Sequence, residues 1–202
     1  SSPAHLDAWC KIYLGWVAPQ TISTDFGAIT LPPVETNKQI IKLPASTTTP
    51  GQYFLLENRQ QILFDSGLPG SGLLVWLIDD DVIADNIGNN TVNNNISGPG
   101  VALMEADGKG DLKLYGGDFG SAGDPFPGTS GNTTFNPYTN PSSIPYLGSA
   151  WLYLKDIAVA GSNASLTFGF APLTPASLAV SHNSATVLTW AANTEADLAK
   201  YR

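Results

Sequence analysis

Hydrophobic positions along this chain recur with two different periods. Leu6, Trp9, Tyr13 and Trp16 follow one another at spacings of three, four and three, which is the spacing of one helix face. Ser2 can cap such a helix, Pro3 suits its first turn and Gly15 breaks it. The pattern therefore predicts a short amphipathic helix over residues 3–14, its aromatic stripe turned inward. Beyond Trp16 the helical period disappears. Short apolar or alternating runs are instead punctuated by Pro19, Pro32-Pro33, Pro44, Pro50-Gly51, Pro69-Gly70 and Pro99-Gly100, the rhythm of antiparallel strands joined by turns. The runs predict strands over residues 28–31, 38–43, 52–59, 72–78, 101–105, 152–158 and 165–170.

Two stretches break that rhythm. Residues 79–100 are crowded with Asp and Asn, and residues 116–145 are rich in Gly, Pro, Asn, Ser and Thr, so neither is expected to be regular. Loops of such length in a compact domain are usually functional or ion-bound. The texture changes again near Pro172, which places a domain boundary at residues 171–174 and two further short strands at 177–181 and 185–190. The expected fold class is mainly β: an antiparallel β-sandwich of about seven strands, led by one short N-terminal helix. The first domain spans residues 1–171, with the sandwich at 25–171, and residues 172–202 form a linker and the opening of a second β module.

Composition narrows the function classes. A chain of 202 residues with 43% hydrophobic and 10% aromatic positions can fill a core of its own. Seventeen acidic against nine basic residues leave a net charge of -8, which opposes phosphate neutralisation and excludes nucleic acid as an expected partner. Cys10 is the single cysteine, so no intramolecular disulfide is expected, and His5 and His182 stand too far apart in sequence for a local histidine metal cluster. The longest apolar candidate, residues 150–170, is interrupted by Lys155, Asp156 and Asn163, so no membrane span is expected. The chain lacks an initiator Met and opens inside a helix start, which reads as a fragment. Its 13% charged content and abundance of Gly, Asn, Thr and Ser match the usage of secreted bacterial β-proteins, so an extracellular location is expected.

Five words occur in order: "AHLDAWCKIYLGW" (4–16), "GQYFLLENRQ" (51–60), "LPGSGLLVWLID" (68–79), "VALMEADG" (101–108) and "GDPFPGTSGNTTF" (123–135). Together they resemble the immune inhibitor A-type family of secreted bacterial zinc metalloendopeptidases over roughly residues 3–170. The resemblance implies a parent enzyme that cleaves peptide bonds of a protein or peptide substrate with a zinc-activated water. Its zinc motif is His-Glu-x-x-His, two imidazoles one helical turn apart with a glutamate base. That motif is absent: Leu6-Asp7 follow His5, and Asn183-Ser184 follow His182. In the family it lies upstream of the opening helix, so the resemblance implies that the catalytic part of the same protein is a missing partner and that this chain has no catalytic residues. Members commonly carry histidine where this chain has Leu77 and Gly98, and Ser or Ala where it has Cys10, so no metal or substrate role carries over to those positions. The last thirty or so residues resemble the start of a fibronectin type III module, with Trp190 and Tyr201 in place of its core aromatics; an incomplete immunoglobulin-like β module is the implied fold.

Candidate sites within the chain are acidic. Asp79, Asp80, Asp81 and Asp85 with the following asparagines offer the oxygen ligands calcium prefers, six to eight on a flexible loop. A solvated loop behind a strand accounts for the same residues. In "ADGKGDL" Asp107 and Asp111 stand four apart across two glycines, but Lys109 occupies a position where an EF-hand needs Asp or Asn, leaving calcium in another geometry or a plain β-turn. Asp79, Asp81, Asp107 and Asp111 are the calcium candidates. Asp118 and Asp124 flank a glycine-rich stretch, and "GDPFPG" reads as a stiff loop that plugs its Phe into the core. Glu57 and Arg59 suggest an ion pair. The five tryptophans fit core packing better than a sugar-stacking platform, and Cys10 lacks the basic setting of a nucleophile.

The expected function is the downstream, non-catalytic portion of a secreted zinc metalloendopeptidase, inactive alone and supporting its catalytic half. The alternative is a stand-alone adhesion or carbohydrate-binding β-module, and calcium stabilisation is compatible with either.

Overall fold

A computed structural model describes residues 3–22, 25–45, 51–114, 119–147 and 152–170 in full, and the backbone of 178–182 and 186–190. Ser2, Asp118, Trp151, the boundary at 171–174, and Tyr201 lie outside the described residues.

The protein is mainly β, and its two larger sheets face each other across one core. The first sheet has five strands in the order β1-β3-β4-β5-β6: β1 (Gln20–Thr21), β3 (Ile41–Pro44), β4 (Gln52–Arg59), β5 (Gly72–Asp79) and β6 (Val101–Leu103). All its pairings are antiparallel except β1 against β3. The second sheet has the order β2-β8-β7, built from β2 (Phe26–Leu31), β7 (Leu152–Ala160) and β8 (Asn163–Phe170). A separate antiparallel hairpin joins β9 (Leu178–His182) to β10 (Thr186–Trp190).

β4 is buried at all eight positions, which an alternating strand on a two-layer sandwich would not be. Successive side chains point to opposite faces, and here each face has a cover. Phe54 and Leu56 join Leu31, Leu43, Val75, Leu77, Leu154, Leu166 and Phe168 between the sheets. Tyr53 and Leu55 pack on the other side with Ala8, Val17, Val34, Ile40, Ile78 and Ile83. The outer cover is helical: α1 (Ala8–Tyr13) and α2 (Asp80–Asn86).

Both helices correct the sequence expectation. α1 begins at Ala8 because Asp7, not Ser2, is its N-cap and accepts from the Cys10 amide at 2.8 Å. Residues 3–6 precede the helix, and the carbonyls of His5 and Leu6 both accept from Arg59. The face that α1 buries carries Ala8 and Lys11, whereas Tyr13 is 64% and Trp16 58% exposed, so the aromatic stripe is not the buried one. Residues 79–100 are not wholly irregular either. Asp79 caps α2 by accepting from the amides of Asp81 and Val82, and Asp80 and Asp81 sit in the first turn, where acidic side chains suit the helix dipole.

The long segment after β6 is stitched into the sandwich rather than looped out. Phe126 exchanges backbone hydrogen bonds with Leu73 (2.8 and 2.9 Å) and is fully buried, and Phe135 does the same with Leu154. Phe126 and Phe135 meet edge-on, with centroids 6.0 Å apart. The strap approaches so closely that a Cβ on Gly72, at φ 151°, would lie 2.4 Å from the Phe126 carbonyl oxygen. No helix among the described residues is long and apolar enough to cross a membrane.

Candidate metal centre

Three carboxylates from this strap converge: oxygens of Glu105, Asp111 and Asp124 all lie within 4.8 Å of one another. β6 delivers the first of them. Met104 still bonds to Val75 across the sheet, and the chain then turns, with the Gly108 amide donating to the Glu105 carbonyl at 2.8 Å. Gly110 adopts a left-handed conformation (φ 68°) that glycine enters without the Cβ penalty, and the chain folds back so that the amides of Asp111 and Leu112 donate to the Glu105 carboxylate at 2.9 and 3.2 Å. The Ala106 amide donates to the Asp124 carbonyl, which brings the second loop alongside. Within that loop Ser121 donates to Asp124 through its amide at 2.7 Å and its hydroxyl at 2.8 Å.

The electrostatics are unbalanced. Glu105 and Asp124 are only 2% and 4% exposed, and Asp111 is half-buried. Among the described residues the Asp111 Oδ1 atom is buried without a hydrogen-bond partner. The nearby ammonium, Lys109, lies 2.8 Å from Asp107 and is not part of the trio. Burial and the adjoining Asp111 carboxyl push Glu105 above the usual carboxylate range, against the pull of the two amides that donate to it. A cation set among the three would remove that penalty. The donors are all hard oxygens, and a 4.8 Å spread is about twice a calcium–oxygen bond of 2.3–2.6 Å. Zinc, which prefers nitrogen and sulfur at shorter distances, fits this set poorly.

Of the four calcium candidates named from sequence, Asp111 is in the trio. Asp107 is adjacent in sequence but engaged with Lys109 through both its side chain and the Lys109 amide. Asp79 and Asp81 are elsewhere, at the junction of β5 and α2. Asp79 is buried and accepts from Gln52 as well as from the helix amides, and Asp81 is exposed. Glu105 and Asp124 carry no ligand signal in the sequence. Glu105 precedes Asp111 by six positions in "EADGKGD", a spacing that carries meaning only once the two glycines fold the segment back.

A second polar cluster lies on the helical side of the first sheet. Lys11 Nζ is 2.8 Å from Glu57 Oε2, Arg59 is 3.5 Å from Glu57 and 3.4 Å from Asp65, and the Trp76 indole donates to Glu57. Glu57 is thus an ion-pair residue, as its sequence setting suggested. No protein-family model matches the chain, and no curated protein matches it.

Proposed function

We propose that this chain is the downstream, non-catalytic portion of a secreted zinc metalloendopeptidase of immune inhibitor A type, and that it holds a structural calcium ion at Glu105, Asp111 and Asp124. The observation that carries the reading is the ordered set of five family words, which fall on elements that pack together: α1, β4, β5, β6 and the strap bearing Asp124 and Phe126. The chain's own histidines do not make the zinc motif, so the residues present do not fit a catalytic zinc, and no step of hydrolysis belongs to them. Their work is support for the catalytic part of the same protein. Calcium would neutralise three carboxylates and tie the turn after β6 to the 121–124 loop. The β9–β10 hairpin opens a fibronectin type III-like module in this reading.

Two measurements test it. The chain incubated with zinc and a protein substrate is expected to show no sustained cleavage, and chelator-sensitive hydrolysis would overturn the reading. Calorimetry with calcium and with EGTA is expected to give a higher melting temperature with calcium, since a ligand bound only by the native state stabilises it. A second reading, a stand-alone adhesion or carbohydrate-binding module, is favoured by the exposure of Trp16, Tyr13 and Phe64. Glycan binding that is lost in Trp16→Ala would move the assignment there.

A further inference from the structure

A fourth carboxylate stands beside the trio, and the chain supplies its own cation to it. Asp107 lies between Glu105 and Asp111 in sequence. A Cβ on Gly123 would meet its Oδ2 atom at 2.9 Å, so the Asp107 carboxylate rests against the residue that precedes Asp124. The Ala106 amide, donating to the Asp124 carbonyl at 2.9 Å, holds the two loops in that position. Gly108 and Gly110, at φ 71° and 68°, fold residues 107–111 into one tight turn. Within it Asp107 Oδ2 faces the Lys109 ammonium at 2.8 Å, and Oδ1 accepts from the Lys109 amide at 3.1 Å.

The two partners are placed differently. The Lys109 side chain is 60% exposed and that of Asp107 only 12%, so the ammonium reaches in from solvent to a carboxylate set in the wall. Asp111 and Asp124 also draw it, while the Asp111 Oδ1 atom is buried and accepts no hydrogen bond among the described residues. A cluster that has pulled in the chain's own cation still holds an oxygen that no cation or donor serves.

We propose that Lys109 sets the calcium affinity of this site by withholding Asp107 from it. The inference rests on the calcium reading of Glu105, Asp111 and Asp124. With Lys109 in place, an ion meets three carboxylates and a neutral Lys109–Asp107 pair. Without the ammonium the same ion meets four negative charges, and the affinity of oxygen-ligand loops for calcium is tuned by the number of charged ligands. An exposed ion pair adds little to stability, so removing the Lys109 charge leaves the fold intact and its effect is read at the ion.

Calorimetric titration of the full 202-residue chain with calcium chloride tests this. Lys109→Gln is expected to bind calcium about tenfold more tightly than the wild type. Adding Asp107→Asn to Lys109→Gln should return the affinity to the wild-type value, because the gained ligand is gone. Asp124→Asn should weaken binding in both backgrounds, which ties the change to this site, and melting in EGTA should be alike for the wild type and Lys109→Gln. Equal affinities of these two proteins, with binding still sensitive to Asp124→Asn, would overturn the role of Lys109 and leave the calcium site standing. Tighter binding that persists after Asp107→Asn would also overturn it, since loss of repulsion alone then accounts for the gain. Absence of Asp124-dependent binding in both proteins would overturn the calcium reading and this inference with it.

Discussion

Lys11 and Glu57, forty-six residues apart in sequence, form a 2.8 Å ion pair with side chains 6% and 0% exposed. The pair docks α1 on the middle of β4, a strand already buried on its other face. Removing one partner of a buried pair leaves an uncompensated charge. Glu57→Ala, which strands Lys11 and Arg59, is expected to cost about 3–5 kcal/mol, read by denaturant unfolding and by the fluorescence of Trp76, whose indole also loses its acceptor. Lys11→Met combined with Glu57→Gln should cost much less than the sum of the two single changes.

Calcium stabilisation should map onto the trio and not onto its neighbours. With free calcium at a hundredfold excess over its dissociation constant the gain is about 2.7 kcal/mol, seen as a rise in melting temperature. Asp124→Asn is expected to lose most of that rise. Asp107→Asn, which breaks only the Lys109 pair, and Asp81→Asn, on exposed helix surface, should keep it. A response abolished by Asp81→Asn instead would move the ion to the β5–α2 junction.

The strap over β5 leaves little room. Gly72→Ala would set a methyl group 2.4 Å from the Phe126 carbonyl in a backbone conformation that side chains rarely adopt. It is expected to destabilise more than Gly67→Ala, where a Cβ meets nothing within 4 Å. Phe126→Ala empties a fully buried site and should cost about 3–5 kcal/mol. Chemical denaturation of the three variants orders them.

Cys10 should be a sluggish thiol. Burial, with a hydrogen bond to Asp7 and that residue's negative charge, pushes it up to about 12. Alkylation at pH 8 is therefore expected to run on the order of a hundred- to a thousandfold slower than for an unperturbed thiol, because the thiolate is the nucleophile. Asp7→Asn should speed it. Labelling at the rate of a free cysteine would contradict the geometry.

The strands were legible in the sequence because their signal is local. Residues 52–59 and 72–78 match β4 and β5 within one position, and the hairpin strands 177–181 and 185–190 match β9 and β10 within one. The two-residue β1 was not visible, since Gln20 and Thr21 gain strand geometry only by lying alongside β3. The helical signal misled for the converse reason. Leu6, Trp9, Tyr13 and Trp16 keep a helical period, yet Asp7 starts the helix late and Lys11 occupies its buried face.

What the sequence determined by itself is the β class, the punctuation of its turns, the acidic character of the chain and the plug at Phe126, because each rests on residues near one another along the chain. Only the tertiary structure decided which carboxylates meet. Glu105, Asp111 and Asp124 are brought within 4.8 Å by a glycine turn and by the hydrogen bond from Ala106 to Asp124, and Lys11 reaches Glu57 from a different element. Charge clusters of this kind are set by where the folded backbone carries each residue, and local spacing holds no record of that path.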